Sequence, residues 1–323
     1  MRRTDKGRPI DGWLVIDKPQ GVTSTHVVSK VKHITRAQKV GHGGTLDPLA
    51  TGILPIAMGE ATKTVAYVMD APKSYRFTIR FGEGRDTDDA EGAIIARSDE
   101  RPTDERITAA LASYQGLIWQ RPPSYAAVKI QGERAYDLAR RGETVVLEPR
   151  QVRIDELRLI ERPDADHAVF EMSCGKGAYV RAIARDLGQE LGCFAHVSAL
   201  RRTSVGAFGL ELAVPLDTLA QLVENDSLPQ VLISVSTALA GIPALAVTEP
   251  QALRLRSGQP IRVSPRLFAE EPAEGATIKV TQAGELVALA RLDGAELSPL
   301  RVFNLKGGAA ARPQERMADV DHR

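Results

Sequence analysis

The chain has 323 residues, of which 43% are hydrophobic and 26% charged, with a formal net charge of +1. This balance is typical of a soluble globular protein with a sizeable core. Two cysteines, Cys174 and Cys193, are too few for a disulfide framework and lack metal-type spacing, which indicates buried thiols in a reducing cytoplasm. The amino end lacks a secretory signal, and the apolar segment 231–247 is interrupted by polar residues, so we expect no membrane span and predict a buried helix or connector there.

Apolar periodicity predicts helices and strands in irregular alternation. Helices are expected over 25–34 with Ser24 as N-cap, over 103–114, and over about 180–191; strands are expected over 75–81, 152–160 and 169–174. Because no regular βαβ repeat is present, the pattern favours an α+β fold with a mixed sheet. After about residue 240, short apolar runs between glycines predict a small β-rich domain with a hairpin near Gly284. The tail 307–323 has too little apolar content to pack, and we predict it to be disordered.

Charge is distributed unevenly along the chain. Residues 1–40 carry nine Lys or Arg against three Asp, whereas residues 83–105 carry nine acids against three Arg. A near-zero total therefore does not exclude a polyanion-binding face, although solvated surfaces explain such runs equally well.

Motifs that would imply a metal or a cofactor are incomplete. Residues 86–92 resemble a calcium loop, but Ala90 stands where a third ligand is needed, so we predict a solvated acidic turn. Neither a phosphate-binding loop nor a complete dinucleotide fingerprint occurs, and the six histidines show no metal-type spacing. No serine lies in the GxSxG pattern of the α/β-hydrolases. We expect no metal, nucleotide or redox cofactor.

The remaining candidate is Asp47, which lies in the glycine-rich stretch 41–52, GHGGTLDPLATG. Four glycines cost backbone entropy, which indicates unusual dihedrals or a close approach to a ligand. A turn or helix cap before Pro48 is the structural alternative for this carboxylate.

These residues resemble the catalytic motif of the TruB family of tRNA pseudouridine synthases. Four further segments resemble the family's motifs in the same order: 17–24 (DKPQGVTS), 75–76 (YR), 177–181 (GAYVR) and 200–203 (LRRT). The carboxyl-terminal part is similar to a PUA RNA-binding domain. Together the resemblance spans about residues 10–305. The resemblance implies a catalytic domain over 1–240 with a largely antiparallel sheet and the pseudouridine synthase fold. A PUA-like β-barrel over 241–306 would follow it.

The implied activity is isomerisation of the T-loop uridine (U55) of tRNA, without a cofactor, by a cytoplasmic monomer that binds the T-arm. In this interpretation Asp47 is the nucleophile, Arg181 its partner, and Tyr75 stacks on the flipped base and is a possible general base; His42, Tyr179, Leu200, Lys18 and Lys129 bind substrate. Three roles stay open for Asp47, because attack on C1′, addition to C6 and abstraction of a sugar proton all need a carboxylate at nearly the same place.

Each of these residues also has a structural alternative. Tyr75 is compatible with a core strand aromatic, Arg181 with a surface helix arginine, and His42 with a loop hydrogen bond. The family usually has Thr where this chain has Gly43, and we expect this glycine to add flexibility beside His42.

The segment 120–150 combines arginines, lysine and tyrosines, as expected of an RNA-gripping insertion, and a charged helix packing on its own domain is the alternative. Two other functions stay open: a catalytic subunit guided by a separate RNA, and an RNA-binding or tRNA-folding module.

Overall fold

The fold is taken from a computed structural model that describes residues 7–126, 141, 147–264, 267–268 and 272–305, and the backbone of 129–130 and 133–134. The helices are α1 (Ser24–Thr35), α2 (Val65–Asp70), α3 (Asp104–Leu111), α4 (Val180–Glu190), α5 (Leu219–Glu224), α6 (Leu228–Val231) and α7 (Glu249–Arg256), with 3₁₀ turns at Gly59–Thr64, Ala112–Tyr114, Leu210–Leu212 and Thr237–Leu239. The strands are β1 (Gly12–Lys18), β2 (Val40–His42), β3 (Thr51–Met58), β4 (Lys73–Phe81), β5 (Glu83–Arg85), β6 (Ile94–Arg97), β7 (Gly116–Gln120), β8 (Lys129–Ile130), β9 (Glu133–Arg134), β10 (Arg150–Glu161), β11 (His167–Cys174), β12 (Ala195–Val205), β13 (Phe208–Gly209), β14 (Val214–Pro215), β15 (Ala244–Ala246), β16 (Ile261–Arg262), β17 (Thr277–Gln282), β18 (Glu285–Asp293) and β19 (Glu296–Val302).

Ten of these strands form one mixed sheet. Its main path runs β14-β1-β3-β12-β4-β11-β10-β7, with β2 beside β3 and β13 beside β12. Strands β1 and β14, and β12 and β3, pair in parallel, whereas the other described neighbours in this sheet are antiparallel. The α+β prediction with a mixed, largely antiparallel sheet is confirmed.

Local sequence determines where the first helix begins. Thr23, and not Ser24 as predicted, is the N-cap of α1, because its hydroxyl accepts from the backbone N–H of His26. The helix buries Val27 and Val31 against the sheet. Ser24 is thereby released for contacts outside the helix.

The other predicted elements are present with shifted ends. The predicted helix 103–114 is α3 followed by a 3₁₀ turn, and the expected strand over 75–81 is β4. Segment 231–247 is a connector that holds a 3₁₀ turn and β15. The predicted hairpin joins β17 to β18 through Ala283 and Gly284, both with positive φ.

Apolar cores lie on both faces of the sheet. One contains Leu14, Phe77 and Phe170 and is covered by α1, α3 and α4. The other joins Trp13 to Leu289 and Phe303 of the carboxyl-terminal part, so that the five-stranded sheet β15-β17-β18-β19-β16 packs against the back of the large sheet. The two cysteines are free and buried, as predicted. Among the described residues, no helix has the length and apolar character needed to cross a membrane.

Two predictions concern residues beyond this description. About half of the expected RNA-gripping insertion within 120–150 and the whole tail 307–323 lie outside the described residues.

Candidate active site

The loop between β2 and β3 carries Asp47, and side chains from two other elements hold it. The Ser24 hydroxyl donates to the Leu46 carbonyl at 2.8 Å and accepts from the Leu46 N–H at 2.9 Å. From β12, the buried guanidinium of Arg202 donates to the carbonyls of Thr45 at 3.1 Å and Gly44 at 3.2 Å. The backbone immediately before Asp47 is therefore fixed from two sides.

Lys18 contacts the same loop through its ammonium group. Its side chain is fully buried, and its ammonium donates to the carbonyls of Pro19, Val22 and Pro48 at 2.9, 2.8 and 3.2 Å. An ammonium has three donors, so these bonds occupy all of them. Burial lowers the pKa of Lys18 to about 8, although nearby Asp47 opposes this shift. The substrate contact predicted for Lys18 therefore lacks a free donor in this structure, and the contacts indicate a positioning role.

The carboxylate of Asp47 forms an ion pair with Arg181 in the first turn of α4. The distance from Arg181 Nη2 to Asp47 Oδ2 is 2.8 Å, and the guanidinium is buried. Arg181 also donates to the backbone carbonyls of Thr87 at 3.1 Å and Tyr125 at 3.0 Å, and its Nη1 lies 3.5 Å from Asp89 Oδ2. These contacts leave one side of Asp47 paired, while about a third of its side chain stays accessible.

The acidic segment 86–92 is only in part the solvated turn that we predicted, because Asp86, Ala90 and Glu91 are exposed whereas Asp88 and Asp89 are buried. Asp88 and Asp89 are 8% and 3% exposed, because the arginines of α4 compensate their charges. Asp88 pairs with Arg185 at 3.0 Å, and burial raises the pKa of Asp88 to about 6 although Arg185 opposes it. The acidic composition predicted solvent exposure. The sequence also places Arg181 and Arg185 one helical turn apart on the predicted helix, and this pair could have indicated partners for buried carboxylates.

A cleft of about 260 Å³ opens beside the ion pair. It brings together five of the predicted site residues: Asp47, Tyr75, Tyr179, Arg181 and Leu200. Tyr75 is half-buried and packs partly on the core, so the core alternative and the cleft position both apply. Burial raises the pKa of Tyr75, although the Arg202 guanidinium opposes this shift.

Tyr179 is held by its neighbours on the cleft wall. The side-chain amide of Gln120 accepts from the Tyr179 N–H at 2.8 Å and donates to the Tyr179 carbonyl at 3.1 Å. The guanidinium of Arg150 lies 5.2 Å from the centre of the tyrosine ring, within cation–π range. The ring is therefore oriented before any substrate arrives.

Lys73 also lines the cleft, and the sequence analysis did not identify it. The buried ammonium donates to the carbonyls of Met69 and Ala71 at the end of α2. Burial lowers the pKa of Lys73 to about 8. The sequence could have indicated Lys73 as a cleft residue, because it precedes Tyr75 by two residues on β4 and therefore lies on the same face of the strand.

Comparison with known proteins identifies the family of the chain. Residues 32–180 match the model of the TruB family pseudouridylate synthase N-terminal domain, and residues 181–240 match the tRNA pseudouridylate synthase B C-terminal domain. The protein named tRNA pseudouridine synthase B from Nitrobacter winogradskyi is 54% identical over 96% of this chain and 87% of its own length. That from Agrobacterium fabrum is 51% identical over 94% and 98%, respectively. The chain belongs to the TruB family.

Solved structures extend the likeness of this TruB chain at the level of the fold. A Cbf5-Nop10-Gar1 complex matches with a TM-score of 0.71 at 23% identity, over 90% of this chain and 84% of that one. An H/ACA RNP bound to a substrate RNA containing 2′-deoxyuridine matches with a TM-score of 0.71 at 22% identity, over 94% and 92%. The large sheet with its helices is therefore the pseudouridine synthase fold.

Gly43, the departure from the TruB pattern, is tightly packed. A Cβ atom there would lie 2.6 Å from Val68 Cγ1 and 3.1 Å from Trp13 Cζ3, and the Gly43 N–H donates to the Pro55 carbonyl at 2.8 Å. The glycine therefore makes room for two core side chains, and the expected flexibility beside His42 stays a prediction. His42 ends β2, and its Nδ1 accepts from the Gly44 N–H at 3.3 Å.

Two further predicted positions, His42 and Lys129, do not line the described part of the cleft. Lys129 lies in β8, but its side chain is outside the described residues. Within the described ranges, no group of three or more His, Cys, Asp or Glu side chains is arranged to hold a metal ion.

Proposed function

We propose that this TruB chain is a tRNA pseudouridine synthase that converts the T-loop uridine (U55) of tRNA to pseudouridine. The observation that carries the proposal is the cleft in which Asp47, paired with buried Arg181 at 2.8 Å, faces the same space as Tyr75 and Tyr179. Relatives of 50–54% identity that bear the name tRNA pseudouridine synthase B support it.

The reaction sets clear demands on the site. The bond between N1 of the base and C1′ of the ribose breaks, the base turns, and C5 bonds to C1′. C5 then loses its hydrogen as a proton and N1 gains one, so the product is an isomer of the substrate. Because no electrons are transferred to an acceptor and no group leaves the nucleotide, the balanced reaction requires no redox partner. It requires a positioned carboxylate near C1′ and the base.

Asp47 supplies that carboxylate, and we assign it the role of nucleophile. Attack on C1′, addition to C6 and abstraction of a sugar proton remain the three chemical routes for this group. Arg181 fixes the orientation of the carboxylate through the ion pair at 2.8 Å. Asp89, which lies 3.5 Å from the other terminal nitrogen of the guanidinium, limits where Arg181 can point. Ser24, Arg202 and Lys18 position the loop backbone.

The uridine must leave its stack before the carboxylate can reach it, because a stacked base shields C1′. Tyr75 would stack on the extruded base, Tyr179 and Leu200 would line its pocket, and His42 would fill the gap in the RNA. Tyr75 is also the candidate general base.

Binding of an RNA backbone is supported by the exposed side of α1. Lys30, Lys32 and Arg36 are exposed there and form no ion pair with any residue that the structure describes. Such cations release counterions when they meet phosphates, so affinity should fall steeply with salt. We also propose that the carboxyl-terminal sheet is a PUA-like RNA-binding unit and that the protein acts as a cytoplasmic monomer on the T-arm.

Tritium release tests the proposal. A tRNA transcript labelled with tritium at C5 of uridine is incubated with purified protein and no other RNA, since C5 loses its hydrogen when pseudouridine forms. We expect release of one tritium per tRNA, and mapping of the product should place pseudouridine at U55. Release that requires an added guide RNA, or pseudouridine at another position, would contradict the proposal. Binding of tRNA without any release would instead indicate an RNA-folding module.

A further inference from the structure

The start of α4, the helix that carries Arg181, has no cap from its own sequence. Its N-cap is Tyr179, whose side chain forms no capping hydrogen bond. Serine, threonine, aspartate or asparagine is preferred at this position, because a short polar side chain bonds the N–H groups of the first turn. Arg181 is only the second residue of the helix. Because helix ends without caps fray, the position of Arg181 depends on a partner outside the helix.

Gln120, the last residue of β7, provides that partner. Its side-chain amide pairs with both the N–H and the carbonyl of Tyr179, at 2.8 and 3.1 Å. The side chain is 1% exposed, and the backbone lies opposite Arg150 where β7 pairs with β10. A buried amide that is bonded at both of its ends has one orientation. Gln120 therefore fastens the start of α4 to the large sheet.

The stretch that follows Gln120 contacts the same helix. The carbonyl of Tyr125 accepts from Arg181 Nη2 at 3.0 Å. The same nitrogen pairs with Asp47 Oδ2 at 2.8 Å. A displacement of the start of α4 relative to the sheet would therefore change two contacts of the Arg181 guanidinium together, one of them with the proposed nucleophile.

We propose that Gln120 is a positioning residue for the reaction: it fixes the start of α4 on the sheet, so that Arg181 holds Asp47 in its reactive orientation. This inference rests on the proposed function, because it needs a reaction at Asp47. Gln120 does not line the described part of the cleft, so it acts through Arg181 and not through contact with the RNA. Its loss should lower the rate of the chemical step and leave the affinity for tRNA unchanged.

Gln120→Met tests this role in single-turnover tritium release from C5-labelled tRNA. Methionine fills the buried space but cannot bond the backbone of Tyr179. We expect the rate to fall about 10–100-fold, since a misplacement of about 1 Å costs up to about 100-fold, with the Kd for tRNA within about twofold of wild type. Gln151→Met is the matched control. Gln151 is exposed on β10, and the rate of this variant should stay within about twofold of wild type.

A double-mutant cycle distinguishes positioning from a general loss of structure. If Gln120 acts through Arg181, Gln120→Met should lower the already reduced rate of Arg181→Lys by less than about threefold. Multiplicative effects of the two substitutions would overturn the inference, and so would an unchanged rate in Gln120→Met or an effect confined to Kd.

A second variant keeps the test open where Gln120→Met does not fold. Gln120→Glu keeps an acceptor for the Tyr179 N–H but turns a carboxylate oxygen toward the Tyr179 carbonyl. Its single-turnover rate should fall about tenfold or more without a change in Kd, and a rate equal to that of the wild type would contradict the role of Gln120. Failure of the proposed function would appear differently, as a wild-type protein that releases no tritium.

Discussion

The catalytic cleft and the carboxyl-terminal sheet differ in how they treat charge. The buried charged side chains of the described residues, Lys18, Lys73, Asp88, Asp89, Arg181 and Arg202, all precede β13 and lie in or near the cleft. The core of the carboxyl-terminal sheet is apolar, and its described ion pair, between Arg291 and Asp293, is exposed. Burial of a charge costs several kcal/mol unless partners compensate it. The buried charges therefore occur in the region where the position of the loop that carries Asp47 is important.

The largest difference in stability between the two regions should appear at Lys18. Replacement by Met keeps the apolar stem but removes the donor from three carbonyls, so the free energy of unfolding should fall by about 2–4 kcal/mol. The control Lys30→Met, on the exposed side of α1, should stay within about 0.5 kcal/mol. Urea unfolding measures both, and equal midpoints would remove the basis of the comparison.

An effect on rate is expected at Asp89. Asp89→Asn keeps the shape of the side chain but removes the charge that faces Arg181 at 3.5 Å. The single-turnover rate should fall about 10–100-fold, or roughly 1.4–2.8 kcal/mol, with the Kd for tRNA changed less than about twofold. Asp99→Asn, at an exposed position in the acid-rich stretch 83–105, serves as control. A normal rate in Asp89→Asn would show that Arg181 needs no second carboxylate.

The free energy of unfolding should depend on pH through the titration of Asp88. Its pKa is about 6 in the folded protein against an ordinary value near 3.8, so the folded state holds a proton that the unfolded state releases between about pH 4 and 6. The contribution of Asp88 to the free energy of unfolding therefore falls as pH rises through this window, by up to about 1.4 kcal/mol per pH unit. The difference between wild type and Asp88→Asn, measured by urea unfolding at several pH values, isolates this contribution. A flat difference would contradict the raised pKa of Asp88 in the folded protein.

The smallest effect is expected in the carboxyl-terminal sheet. Arg291→Gln breaks the ion pair with Asp293, which lies at 2.8 Å but at half-exposed positions. Screening by water limits its contribution, so the free energy of unfolding should change by less than about 0.5 kcal/mol. A decrease in the free energy of unfolding as large as that caused by Lys18→Met would show that charged contacts stabilise both regions to the same extent.

The sequence predicted the secondary-structure elements more accurately than it predicted which residues are buried. Alternation of Phe77, Ile79 and Phe81 predicted β4, and the glycine-rich loop pointed to Asp47, because both patterns are local. Segment 86–92 was misjudged in part, since the burial of Asp88 and Asp89 depends on arginines of α4 almost a hundred residues away in the chain.

The same limit applies to the supporting residues. Lys18 matched a motif, but only the fold shows that three carbonyls surround its ammonium. The sequence likewise gave no indication that Gly43 faces Trp13 and Val68.

The central claim, that the buried charges position Asp47 for the reaction, is tested most directly by Asp47→Asn. This variant is nearly isosteric, so its Kd for tRNA should stay within about threefold of wild type, less than about 0.7 kcal/mol. Tritium release from C5-labelled tRNA under single-turnover conditions should be abolished. Substantial release by the variant would contradict the assignment of Asp47 and, with it, the purpose assigned to Arg181, Asp89 and Lys18.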